Sequence, residues 1–77
     1  MMTITATAEA LFVSSLQPSD HPTCSQVDAA VRSTLQAHGG ACGCAAAFAA
    51  EYGEHPETSA HRMRWALSIA AQTSIAA

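Results

Sequence analysis

The sequence predicts an all-α domain, a small bundle of four short helices, on three observations. The chain is 49% hydrophobic, yet large apolar residues are few and alanine supplies most of the rest. Alanine has the best helix propensity and lets helix backbones approach closely. The large apolar residues recur at the helical period, and no run of alternating β-branched residues reads as a strand. Prolines and glycines punctuate these stripes where helices start and stop.

The first helix is expected from about Thr7 to Gln17, with Ala8, Leu11, Phe12 and Leu16 on one face. Pro18 ends it, because the residue before a proline is biased away from the α region. "QPSDHPT" then reads as a short ordered loop. Thr23 and Gln26 have the capping-box spacing, so a second helix starts there with Val27, Ala30, Val31, Thr34 and Leu35 facing inward. Gly39 and Gly40 stop it, a glycine being suited to the left-handed cap. The third helix, about Ala41 to Tyr52, carries Cys44, Ala45, Phe48, Ala49 and Tyr52 on one stripe and is expected to end at Gly53. Pro56 fits the first turn of a fourth helix running to about Gln72, with Glu57 favoured at the positive end of its dipole. At 100° per residue the inward face of that helix is Ala60, Met63, Ala66, Leu67 and Ala70, and Arg62, Trp65 and Ile69 form a neighbouring stripe.

With 77 residues, the chain is read as one domain, its ends at 1–6 and 73–77 frayed. A single core is marginal at this size, so a partner subunit or an ion would help it. Three basic residues, all arginine, and a net charge of −3 oppose non-specific attraction to nucleic acid or an anionic membrane. The absence of lysine and asparagine with abundant alanine points to a GC-rich bacterial gene. The first twenty residues have no basic leader and only a short apolar segment, "ALFV", which reads as neither signal peptide nor membrane span. Cys24, Cys42 and Cys44 make an odd set and are read as reduced thiols of a cytoplasmic protein.

The stretch from Ala45 to Ala66 resembles helix-turn-helix DNA-binding proteins, including the last region of bacterial sigma factors. Phe48, Ala49, Tyr52, Gly53, Pro56, Thr58, Arg62, Met63 and Arg64 fall where that pattern has such types, giving the bundle a helix-turn-helix-like core. The resemblance implies Thr58, Ser59, His61, Arg62 and Arg64 as groove-facing residues. Two positions depart from the pattern: Glu54 replaces an aliphatic residue, and Ser59 stands where a buried Val or Ile is usual. If Ala60 and Met63 supplied that burial, the helix would be rotated. Glu51, Glu54 and Glu57 also surround the corner with negative charge.

Arg62, Trp65 and Ile69 have a composition enriched at protein interfaces and are the candidate contact stripe. His21, Cys24, His38, Cys42 and Cys44 are five soft-metal ligand types within a short span, and zinc is the ion they would suit. They lack a Cys-x2-Cys knuckle, and Cys42 and Cys44 could share an ion only if Gly43 kept the helix start unwound. No phosphate loop, nucleophile elbow or carboxylate pair is present, so no catalytic residue is expected. The expectation is a non-enzymatic interaction or regulatory protein without a cofactor, acting as a homodimer and binding another protein. The alternatives are a DNA-binding regulator and a metal or redox sensor.

Overall fold

Local capping chemistry sets where the helices of this computed structural model begin. It describes residues 2–76 and contains α1 (Ile4–Val13), α2 (Cys24–His38), α3 (Ala41–Glu54) and α4 (Pro56–Ala76), with one 3-10 turn at Pro18–Asp20. Among the described residues there is no strand. Of the ends expected to fray, Met1 and Ala77 lie outside the described residues.

α1 is displaced toward the N-terminus from its expected span. Thr3 caps it, its hydroxyl accepting from the Ala6 amide at 3.0 Å. The helix stops at Val13 because Ser14 turns extended and its Oγ donates to the Leu11 carbonyl at 2.6 Å. Such side-chain competition for backbone groups disfavours continued helix. Pro18 therefore opens a new turn and does not end the helix; there the Gln17 amide donates to Asp20 Oδ2 at 2.8 Å.

α2 starts as its sequence signals. The Gln26 amide donates to Thr23 Oγ1 at 3.2 Å and the Thr23 amide to Gln26 Oε1 at 2.8 Å. It ends on Gly39 in the left-handed region at φ 75°. Gly43 does not unwind the start of α3. It is helical, and a Cβ on it would stand 1.5 Å from the His38 carbonyl oxygen, so its bare backbone admits the end of α2.

Gly53 does not end α3 either. That helix runs through it to Glu54, and the corner is His55 alone, at φ −135° and ψ 68°. Pro56 explains the shift, since it excludes the residue before it from the α region, whereas a glycine cap would need a positive φ that Gly53 does not adopt. The His55 amide still donates to the Glu51 carbonyl at 2.8 Å, and the Ser59 amide to the His55 carbonyl at 2.9 Å. The backbone bonds of the corner are thereby kept across a single non-helical residue.

The core gathers around α1, which packs against all three other helices and most extensively against α4. Ala8, Ala10 and Leu11 of α1 meet Ala66 and Ala70 of α4, Val27 and Val31 of α2 and Cys44 of α3. The small side chains on α1 and α4 let their backbones come close. α4 is turned differently from its predicted face: Ser59 joins Ala66 and Ala70 in the interior, and Leu67 is 38% exposed. On α3, Phe48 is half-buried and Tyr52 is 47% exposed, the two rings continuing outward from Phe12 at centroid separations of 4.8 and 5.8 Å.

Candidate interaction surface on the fourth helix

α1 has no basic residue in its last turn to meet its terminal carbonyls, and Arg62 supplies the donors from α4. Its Nε donates to the Phe12 carbonyl at 2.8 Å. Nη2 donates to the carbonyls of Ser14 and Leu16, each at 2.9 Å, and to that of Leu11 at 3.3 Å. Nη2 has two hydrogens, so these three acceptors share them. The guanidinium carbon also lies 5.0 Å from the Trp65 ring centroid and 5.8 Å from that of Phe12, within cation–π range. Burial lowers the Arg62 pKa from its ordinary value, but the group remains protonated at neutral pH because arginine starts far above it.

The predicted stripe is thus divided by its contacts. Arg62 points its charged group at the end of α1, while Trp65 and Ile69, like Leu16, Leu35 and Met63, sit half-buried against the rim of the core. Sequence reasoning placed Arg62 with its neighbours and missed its role as the cap of α1. The available signal was an α1 terminus without a basic side chain, facing a half-apolar helix that carried one.

The residues suggested for a DNA groove separate in the same way. Thr58, His61 and Arg64 are exposed. Ser59 is not groove-facing: it is 1% exposed, because α4 turns inward the face that Ser59 shares with Ala66 and Ala70. The rotation through Ala60 and Met63 does not occur. Ser59 Oγ is buried with no hydrogen-bond partner, an arrangement that costs stability. The one-residue corner at His55 is tighter than the three- or four-residue turn usual in a helix-turn-helix.

Charge near the corner is mostly negative. Glu51, Glu54 and Glu57 are all exposed. Arg32 pairs with Asp28 at 2.9 Å on α2, and His55 lies 3.9 Å from Glu51, a contact that attracts only when the imidazole is protonated. With Arg62 turned to α1, Arg64 is the arginine that α4 presents outward.

The cysteines and histidines are not drawn together. Cys24 and Cys42 are exposed at the starts of α2 and α3, whereas Cys44 is buried, its Sγ 4.0 Å from the Thr34 carbonyl oxygen. Burial first, and the Glu9 carboxylate second, push the Cys44 thiol pKa up, which disfavours the thiolate a metal would need. His21 is exposed after the 3-10 turn with φ 46°, and His38 is exposed in the last turn of α2. Among the described residues no three His, Cys, Asp or Glu side chains group closely enough to hold an ion.

Among the described residues no helix is long and apolar enough to cross a membrane. No protein-family model matches the chain, and neither a curated protein nor a solved structure matches it.

Proposed function

We propose that this chain is a non-enzymatic interaction or regulatory protein of the bacterial cytoplasm, acting by self-association and by binding another protein through the Trp65–Ile69 side of α4. One observation carries the reading. Alanines dominate the fully buried apolar positions, while Trp65, Ile69 and Met63 are only half-buried and Ile4, Tyr52 and Leu67 are exposed. Larger apolar side chains left on the rim of a small core are the material of a subunit contact. Within the stripe, Arg62 acts by holding Trp65 against the end of α1, and Trp65 and Ile69 make the contact.

Light scattering coupled to size exclusion tests this on the reduced protein. The expected result is a dimer that Trp65→Ala shifts toward monomer while the circular dichroism stays helical. A wild-type chain that is monomeric at all workable concentrations would sink the self-association.

A second reading, a regulator that places α4 in a DNA groove, is favoured by the exposure of Thr58, His61 and Arg64 in one helical phase. The acidic corner opposes it. The discriminating variant is Arg64→Ala, because replacing Arg62 would disturb α1 as well. Binding to mixed genomic DNA that weakens with salt and falls in Arg64→Ala would replace the first reading with this one.

A further inference from the structure

A recess of about 350 Å³ opens between the end of α1, the middle of α3 and the start of α4. Its apolar wall is Phe12, Val13 and Ala47, and its polar wall is Glu51, Thr58, Ser59 and Arg62. The volume is at the lower end of the range of small-molecule sites.

The two charges on the recess are not paired with each other. Arg62 is fixed by four bonds, to the Leu11 and Phe12 carbonyls of α1 and the Ser14 and Leu16 carbonyls just after it, that use Nε and Nη2; Nη1 takes no part in them. Glu51 borders the same space, yet among the described residues the ion pairs are Arg32 with Asp28 and His55 with Glu51, so no carboxylate neutralises Arg62 directly. A part-buried guanidinium held only by neutral carbonyls favours an added anion. A plain anion would meet repulsion from Glu51, and a plain cation would meet it from Arg62. A molecule carrying both charges satisfies both walls, and an apolar side chain on it covers Phe12, Val13 and Ala47.

From this we infer that the recess is a binding site for a small zwitterion with an apolar side chain, of the class of a free aliphatic α-amino acid. Its carboxylate pairs with Arg62 Nη1, its ammonium with Glu51, and its side chain lies on the apolar wall. Ser59, whose buried Oγ lacks a partner, borders the same space. The inference goes beyond self-association, and the recess lies at the N-terminal end of α4, where Arg62 is about two helical turns from Ile69.

Titration of the whole chain with leucine, followed by amide chemical shifts, tests it. Saturable shifts confined to the neighbourhood of Phe12, Ala47 and Thr58 are expected. Isoamylamine, which lacks the carboxylate, and isocaproate, which lacks the ammonium, should each bind at least about tenfold more weakly. Glu51→Gln should remove the preference for leucine over isocaproate, and Ala47→Leu should fill the recess and abolish the shifts. Both variants change exposed or half-exposed positions, and a retained helical spectrum would show that the fold is intact. The inference is overturned by the absence of saturable leucine shifts, by isocaproate binding as well as leucine, or by shifts that persist in folded Ala47→Leu. None of these outcomes depends on whether the chain is a monomer or a dimer.

Discussion

Gly43, in the first turn of α3, lies against the end of α2, whereas Gly53, in its last turn, faces open space. Both are helical and both forgo the propensity that alanine would bring. At Gly43 the missing Cβ is what lets the His38 carbonyl approach. At Gly53 the missing Cβ makes room for nothing, since no atom lies within 4 Å of where it would stand. The same residue type in one helix is therefore a packing requirement at one end and a removable weakness at the other. The corner after Gly53 is made by Pro56 and His55, and the corner before Gly43 by Gly39 and Gly40 in positive-φ conformations.

The largest effect should come from Gly43→Ala. Helix propensity alone would make this change favourable by about 1 kcal/mol. The added methyl, however, meets a backbone oxygen at 1.5 Å, and neither helix end can yield like a flexible side chain. A net loss of about 3 kcal/mol is expected, readable as a much lower urea midpoint. An unchanged midpoint would mean that the two helices separate freely at that corner.

The end of α1 is closed in a third way, by the side chain of a distant residue, and Arg62→Ala should rank next. It strips four charge-assisted bonds from the carbonyls of Leu11, Phe12, Ser14 and Leu16, for an expected loss of about 2 kcal/mol. In a domain of this length each kcal/mol lowers Tm by about 4–8 °C. Arg62→Lys should recover only part of it, because an ammonium lacks the fork that spans several acceptors. A variant as stable as the parent would show that water serves these carbonyls equally well.

These ranks also explain what could be read from the chain alone. The start and end of α2 were legible because their chemistry is local: Thr23 and Gln26 bond to each other's amides, and Gly39 supplies its own left-handed cap. The start of α4 at Pro56 was legible for the same reason. The limits of α1 were not: Thr3 and Ser14 also bond locally, but no Glu or Gln completes a capping box with Thr3 and no glycine or proline marks Ser14, and Arg62 arrives from another helix. The inward face of α4 was blurred by alanines on several sides, so apolar pattern gave little contrast and Ser59 took a core position that its polarity argued against. Of the candidate surface, Trp65 and Ile69 were found on the rim of the core by periodicity, whereas the inward turn of Arg62 needed the three-dimensional neighbour.

Gly53→Ala gives the smallest change and the most direct test of the comparison, because its sign should be opposite to that of Gly43→Ala. The site is exposed, its φ is not positive, and a methyl there would touch nothing. What remains is backbone entropy: alanine restricts the unfolded chain more than glycine does and favours the helix, so about 0.5–1 kcal/mol of added stability is expected. Thermal unfolding of the two single variants and their double variant would measure it, and the sites lie far enough apart along α3 for the effects to add. A Gly53→Ala chain that loses stability would show that the last turn of α3 needs a glycine after all, and the corner would then belong to Gly53 as well as to Pro56.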